Sequence, residues 1–300
     1  MNRGINPLME SAADQWFEPG PAWWQRLCRQ YDDLTLALAR VHLRGALGLL
    51  DLCGRTAHRA GLHGPSLTEL SALCDWLSPV EAARVAREIA ALRFRNRAAI
   101  ALVHGGRIAQ LAGLVRWPAD QACREVFVRD GGRVIVTWHV GAMYGIRAAL
   151  HSLGKPVLNL RDLPLRDFNE RARALKKAVD HLRAGGLVTA MLDGPGGTST
   201  SSVTCLRRRI VFRRGPFVLG RMTGAPLIPV VCNWTRDGRI AVRTASPLES
   251  SVRAITAPAI EDALAASAAA WLDQYLRAQP HQLWLYTLRN FTAAPPADGV

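Results

Sequence analysis

The sequence has 300 residues, of which 49% are hydrophobic, and its 38 Lys and Arg residues against 24 Asp and Glu residues give a formal net charge of +14. A chain of this length and composition is too apolar to be a solvated, disordered chain and can bury a sizeable core, as one large domain or as a core with an attached helical part. The positive charge favours partners that carry phosphate or present an anionic membrane surface, and it says nothing about the fold.

The cysteines, at positions 28, 53, 74, 123, 205 and 232, stand alone, without a Cys-x-x-Cys pair or a close group of histidines. This spacing argues against a zinc site and against a disulfide framework, and it favours a reduced, cytoplasmic setting. Cys205 is placed in a polar loop, as a bystander rather than a reactive thiol. No metal and no redox cofactor are predicted.

Residues 1–130 are predicted to form a helical N-terminal part. Its first residues lack the apolar core of a signal peptide. An aromatic group close to Arg26 and Arg29 is typical of an anchor at the surface of an anionic membrane, and packing of these rings against the helices is the alternative. The group consists of Trp16, Phe17, Trp23 and Trp24.

Residues 34–53 form the longest apolar stretch, but Arg40, His42 and Arg44 lie near its centre. A membrane-spanning helix does not readily carry three such side chains there, so a buried or interfacial helix is predicted instead. Further on, the segments SLTE (66–69) and SPVE (78–81) have the pattern of capping boxes. Each predicts the start of a helix.

From about residue 131 the pattern changes to strands that alternate with helices. Strands are predicted at 133–137, 156–160, 187–192 and 226–232, followed by a turn, an outer strand and a last helix over 257–278. Alternation of this kind predicts an α/β fold, with a mostly parallel twisted sheet covered by helices. We assign this core to residues 131–292, with a short tail at 293–300.

The first of these strands leads into the segment HVGAMYG, residues 139–145. His139 stands where a strand ends and a helix begins, and ligands of open α/β sheets bind beyond the carboxyl ends of the strands. A neutral imidazole in that place can take a proton from an attacking hydroxyl. The alternative is a histidine that only bonds to the backbone at a strand end.

A glycine-rich segment, MLDGPGGTSTSS, follows a later strand at residues 191–202. The strand delivers Asp193 into a loop in which Gly194, Gly196 and Gly197 would let the backbone approach a substrate, and free amides there can hold an anion. The segment is not a Walker loop, because no Gly-Lys-Ser/Thr follows. An ordinary surface loop is the alternative.

Five arginines precede a predicted helix start at Gly215-Pro216. Guanidinium groups match the geometry of phosphate, and the N-terminus of a helix favours anions. Arg213 and Arg214 adjoin the glycine and are therefore the candidates for binding phosphate, whereas solvated charge accounts for Arg207 and Arg208. The full set is Arg207, Arg208, Arg209, Arg213 and Arg214.

The order of these segments resembles the lysophospholipid acyltransferase superfamily, and in particular its lipid A biosynthesis (lauroyl/myristoyl) acyltransferase branch. The resemblance covers residues 70–291. It rests on HVGAMYG, on LRAGGLVTAMLDGPGG, on FRRGPFVLGRMTGAPLIPVV and on the terminal PHQLWLYTLRNF.

The resemblance implies transfer of an acyl group from an acyl-carrier-protein or acyl-CoA thioester to a hydroxyl of a lipid-like acceptor, usually a lipid A precursor. The departures of this sequence from the family pattern add an amine and a specialised metabolite as acceptors. Members of that family often begin with a membrane helix, and no stretch of this sequence is predicted to form one. A peripheral position at the inner face of the cell membrane is therefore predicted. Enzymes of the family use a histidine as general base and, after four intervening positions, an acidic residue that orients it. His139 matches the histidine, but Tyr144 occupies the place of the acid. Asp193 matches the acidic residue of the later glycine motif, and Arg213 or Arg214 matches the basic residue before Gly215.

The departure at Tyr144 leaves several interpretations open. A neutral phenol can orient an imidazole but cannot balance its positive charge. In the first interpretation, Asp193 takes the role of the acid from a neighbouring strand end. In the second, the acceptor is one that needs less help from a base. In the third, the protein is a catalytically silent acyltransferase-like binding protein. Nucleic-acid binding is permitted by the charge, but no zinc-finger, RNP or basic-zipper pattern supports it, and it is not predicted.

Overall fold

The computed structural model describes residues 22–59, 65–119, 121–163, 168–194, 199–248, 256–284, 287–288 and 291. Several predictions lie outside these residues. They concern the aromatic residues Trp16 and Phe17, the loop glycines Gly196 and Gly197, and the tail at 293–300. Helix α1 includes Trp23 and Trp24.

Helices account for much of the described chain. They are α1 (Ala22–Arg59), α2 (Leu67–Leu73), α3 (Pro79–His104), α4 (Ile108–Ala112), α5 (Gln121–Val128), α6 (Met143–His151), α7 (Phe168–Arg183), α8 (Gly215–Thr223) and α9 (Ala257–Ala278). Short 3₁₀ turns occur at Leu160–Asp162 and Pro280–Gln282.

The strands belong to a sheet and a separate hairpin. They are β1 (Val115–Arg116), β2 (Arg133–Thr137), β3 (Val157–Asn159), β4 (Leu187–Met191), β5 (Thr200–Cys205), β6 (Arg208–Arg213), β7 (Leu227–Trp234) and β8 (Ile240–Thr244). The sheet has six strands in the order β1-β8-β7-β2-β4-β3, and β5 pairs with β6 alone.

All pairs in the six-stranded sheet are parallel except β7 with β8. The predicted fold class is therefore confirmed: the chain is α/β, with a mostly parallel sheet, helices against it and a helical N-terminal part. Strand β1 belongs to the segment before residue 131 and joins the sheet edge at β8, so that segment is not wholly helical.

The side chains of strand β2 alternate between two hydrophobic clusters, one on each face of the sheet. Val134 and Val136 belong to the cluster that includes residues of α2, α7, α8 and α9. Ile135 belongs to the cluster that includes residues of α1, α4 and α6. Because both faces are covered, every residue of β2 is buried, as expected of a central strand in a parallel sheet.

The helix starts and stops follow the local sequence. Ser66 and Ser78 form capping boxes with Glu69 and Glu81, as predicted. Helix α1 is interrupted at His42, where the backbone leaves helical geometry. Within the described part of the chain, none of the helices combines the length and the apolar character that a membrane crossing requires.

The segment around Cys205 differs from the prediction. It forms a hairpin rather than a polar loop, and Leu206 and Arg207 at the turn both have positive φ, at 50° and 57°. Cys205 ends β5 with only 1% of its surface exposed. Burial, with a smaller effect from Asp273, raises the pKa of the Cys205 thiol, so this cysteine is inert rather than reactive.

Candidate active site

The register of two central strands brings His139 and Asp193 together. Thr137 of β2 is the parallel partner of Met191 of β4, at the carboxyl end of each strand. His139 and Asp193 each follow their strand by two residues, so they leave the sheet at the same edge. Residues far apart in the sequence therefore meet where ligands bind in open α/β sheets.

The carboxylate of Asp193 contacts both the ring and the backbone of His139. Its Oδ1 atom lies 2.9 Å from Nδ1 of the ring, and the backbone N–H of His139 donates to both carboxylate oxygens at 3.1 Å. Both side chains are fully buried. An ionised carboxylate only accepts hydrogen bonds, so it fixes the tautomer in which Nδ1 carries the proton and Nε2 the lone pair.

Thr287, near the C-terminus, connects to both members of this pair. Its Oγ1 lies 2.6 Å from the backbone oxygen of His139 and 3.3 Å from Oδ2 of Asp193. The side chain is fully buried. A single hydroxyl hydrogen is thus shared between the His139 carbonyl and the Asp193 carboxylate. These contacts connect the segment around Thr287 to the residues that follow β2 and β4. Sequence reasoning missed this residue, because a lone threonine has no spacing that indicates such a role.

The turn after His139 is fixed by close packing of Gly141. Its φ is +59°, and a Cβ placed there would lie 2.1 Å from the carbonyl oxygen of Cys232. Only glycine fits a left-handed residue this close to a neighbouring backbone. The N–H of Ala142 donates to the same Cys232 oxygen at 2.5 Å, which holds the turn against β7.

Side chains from distant segments donate hydrogen bonds to the carbonyl oxygen of Gly141. Asn96 of α3 and Trp284 both donate to the carbonyl of Gly141 at 2.8 Å, and Trp234 donates to the other end of the Asn96 amide at 2.9 Å. The ring of Trp284 also lies 6.0 Å, centre to centre, from that of His139. The terminal motif therefore serves to position the histidine turn.

Tyr144 occupies the place of the acid in the sequence, but its ring packs against another residue. Helix α6 begins at Met143, so the residues from 139 to 142 are not helical and do not place Tyr144 one helical turn from His139. The phenol ring packs edge-to-face against His104, at 6.3 Å between centres. The position at Nδ1 that an orienting residue would take is occupied by Asp193.

Gly194 and Arg213 lie beside the buried pair. A Cβ on Gly194 would lie 3.9 Å from Cε1 of His139, so the Gly194 backbone passes close to the ring. Arg213 donates through Nε to the carbonyl of Gly194 at 2.7 Å. The structure thus places a guanidinium next to the glycine that adjoins the histidine.

Arg214 is bound to carboxylates of α9 instead. It contacts Asp262 at 2.5 Å and Glu261 at 4.0 Å, and its Nε donates to Ser201 Oγ at 3.0 Å. These contacts hold the Arg214 guanidinium against helix α9. Helix α8 begins at Gly215 with a proline in its first turn, as predicted.

The other arginines of the basic segment are spread over the hairpin. Arg207 pairs with Asp75 at 2.8 Å, Arg208 donates to the carbonyl of Ala72, and Arg209 donates to Ser202. They do not form a single patch with Arg213. Among the residues that the structure describes, no group of His, Cys, Asp and Glu side chains has the arrangement of a metal site.

The site is defined by its own geometry: a buried His–Asp pair at the carboxyl edge of a mostly parallel sheet, with a glycine and a guanidinium against it. A comparison with models of known protein families finds no family that matches the sequence, and a comparison with curated proteins finds no match either.

Proposed function

We propose that the protein is an acyltransferase that moves an acyl group from an acyl-carrier-protein or acyl-CoA thioester to a hydroxyl or amine, with His139 as the general base. The observation that carries this proposal is the 2.9 Å contact between Nδ1 of His139 and the carboxylate of Asp193. A buried carboxylate that orients an imidazole is the arrangement that activates a hydroxyl in nucleophilic chemistry.

The proposed reaction has two proton transfers. Nε2 of His139 takes the proton from the acceptor hydroxyl, and the oxygen forms a bond to the thioester carbonyl carbon. The carbon–sulfur bond then breaks, and the imidazolium returns the proton to the departing thiolate. Asp193 stabilises the imidazolium formed between these steps, a role that a neutral phenol cannot fill. In this mechanism Asp193, which follows β4, takes the role of the acid that is absent at position 144.

Arg213 supports the proposal as a source of positive charge beside the site. Its guanidinium is held at the Gly194 carbonyl, and arginine binds phosphate groups well. Both classes of donor carry phosphate next to their pantetheine arm. Arg213 would hold that phosphate, or a phosphate on the acceptor, while Arg214 maintains the fold around it.

A peripheral position at the inner face of the cell membrane fits the same proposal. The net charge of +14 favours an anionic surface, and a lipid-like acceptor would be presented there. The His139 ring is fully buried, so the acceptor reaches it only if residues that cover the ring move aside.

The test is acyl transfer followed by intact-mass spectrometry, with acyl-carrier-protein and acyl-CoA donors and a panel of hydroxyl and amine acceptors. His139→Ala removes the proposed base. His151→Ala is the matched control, because His151 is exposed in the last turn of α6. We expect transfer by the wild type and by His151→Ala, and none by His139→Ala.

Two results would contradict the proposal. Transfer that survives His139→Ala would show that the histidine is not the base. A wild-type protein that binds acyl donor, measured by calorimetry, but leaves the thioester intact with every acceptor would favour the silent binding protein instead.

A further inference from the structure

A separate cavity of about 290 Å³ lies on the side of the protein where the helical part meets the sheet. Its walls come from α1, from α3, from the turn after β7 and from the 3₁₀ turn Pro280–Gln282. Neither His139 nor Asp193 lines it. Its size is at the lower end of ligand sites, suited to a small group rather than to an acyl chain.

Four of the charged residues in the wall neutralise one another. Arg55 holds Glu88 through two contacts, at 2.5 and 2.8 Å. Arg55 and Arg95 both contact Asp51, at 2.9 and 2.6 Å. Two positive and two negative side chains thus leave no net charge in this part of the wall.

Two further arginines give the cavity its excess of positive charge. Arg84 and Arg236 line it and are exposed, which places them where it opens to solvent. Within the described ranges, neither guanidinium has a hydrogen bond or an ion pair. The buried Nε–H of Arg95 also has no acceptor among the described residues. The wall therefore offers unused donors and about two unbalanced positive charges.

We propose that this cavity binds a phosphate group, held between Arg84 and Arg236 with His281 as a further donor. Two guanidinium groups match the charge and the several oxygens of a phosphate dianion, and each can donate two parallel hydrogen bonds. The volume admits phosphate with a small substituent. The proposal does not depend on acyl transfer, because it concerns residues outside the His139 site.

The cavity is connected to the turn that carries His139. Gln282, in its wall, accepts a hydrogen bond from the N–H of Gly141 at 2.7 Å. Leu283 forms a bridge with Val140. A phosphate bound here would thus stiffen the segment that supports the histidine turn, and the site could serve either a soluble phosphate compound or a lipid headgroup.

The experiment is calorimetric titration of the full-length protein with inorganic phosphate at constant ionic strength, with chloride as the blank. We expect Arg84→Gln and Arg236→Gln each to weaken phosphate binding by about tenfold or more, because each variant loses at least one hydrogen bond to a charged group. Arg87→Gln is the matched control. It lies on α3 like Arg84, carries the same charge and is not part of the cavity wall.

Flotation with vesicles distinguishes the two sources of the phosphate. The Arg84→Gln/Arg236→Gln double variant is compared with a control double variant that loses the same charge at Arg87 and Arg243. If the wild type and the control bind phosphatidic acid vesicles and the Arg84→Gln/Arg236→Gln variant does not, the site binds a lipid headgroup. Calorimetric binding without such vesicle binding assigns it to a soluble phosphate compound. A wild type that takes up no phosphate at millimolar concentration, or a double variant that binds it as the wild type does, would overturn the proposal.

Discussion

The Nδ1 atom of His139 lies 2.9 Å from the carboxylate of Asp193, although 54 positions separate the two residues. Parallel pairing of Thr137 with Met191 makes this contact possible, because it ends both strands at the same level. The carboxylate beside the ring comes from the segment that follows β4, whereas position 144, on helix α6, carries a tyrosine. The contact therefore depends on strand register rather than on local spacing.

Asp193→Asn tests whether this carboxylate supports the base. An amide side chain of the same shape favours the wrong imidazole tautomer and cannot balance the imidazolium, so we expect the turnover number for acyl transfer to fall by about 10³- to 10⁴-fold. Tyr144→Phe, which removes only the hydroxyl of a ring packed on His104, should leave turnover close to that of the wild type. Steady-state kinetics with a thiol reporter would measure both. The reverse order of effects would assign the orienting role to Tyr144.

Much of the fold could be predicted because the sequence carries strong local signals. Capping boxes at Ser66 and Ser78 mark the starts of α2 and α3, as expected. The hairpin of β5 and β6 was missed. Its two-residue turn consists of Leu206 and Arg207, whereas turns of this kind usually contain Asn or Gly.

The candidate site was predictable in its residue types but not in its contacts. His139 and Asp193 stand at strand ends that the sequence indicates, yet only strand order and register show that they touch. Arg213 and Arg214 look alike in the sequence, and the carboxylates of α9 separate them in space. The partners of these side chains depend on contacts between distant segments, which no local sequence pattern predicts.

Thr287→Val tests the hydroxyl that joins the chain end to the pair. Valine has nearly the same shape but leaves the His139 carbonyl and one Asp193 oxygen without this donor. We expect the turnover number to fall roughly 10- to 100-fold from misplacement of the base, with KM little changed. The free energy of unfolding, from urea titration, should fall by about 1–3 kcal/mol. Thr287→Ser keeps the hydroxyl and should restore most of both values. Equal losses in both variants would point to packing instead.

Substitution of Arg213 and Arg214 should separate binding from stability. Arg213→Ala removes the guanidinium beside Gly194, and we expect it to raise KM for the acyl donor more than Arg214→Ala does. Arg214→Ala breaks the contacts with Asp262 and Glu261 and should lower the free energy of unfolding by about 1–3 kcal/mol. Donor kinetics and urea titration on both variants give the comparison. A raised KM in the Arg214 variant alone would reverse the assignment.

Gly141→Ala should show how tightly the histidine turn is packed. The new Cβ would meet the Cys232 oxygen at 2.1 Å in a left-handed residue, and we expect a loss of about 3 kcal/mol or more in the free energy of unfolding. Gly154→Ala is the control, because its φ is +67° but nothing lies within 4 Å of its Cβ. That variant should lose only about 1–2 kcal/mol. Similar losses at both positions would mean that the turn can relax away from β7.

His281 gives the phosphate cavity a dependence on pH. Burial lowers the pKa of this histidine; Arg84, Arg236 and Arg95 act in the same direction, and Glu88 opposes them. The other charged groups in the wall are Asp51 and Arg55. The unfolded chain therefore binds more protons than the folded one near the ordinary histidine pKa of about 6.5. This contribution makes the folded state less stable as the pH falls through that value.

A bound dianion should reverse this effect, because it favours the protonated ring of His281 and so raises its pKa above that of the empty site. Binding then takes up a proton, and affinity increases as the pH falls from about 7 to 5. Sulfate is the suitable probe, since it keeps its charge over this range. Calorimetry in two buffers of different ionisation enthalpy would report the proton uptake. In His281→Gln the affinity for sulfate should not vary with pH, whereas a pH dependence unchanged in that variant would assign the titration to another group.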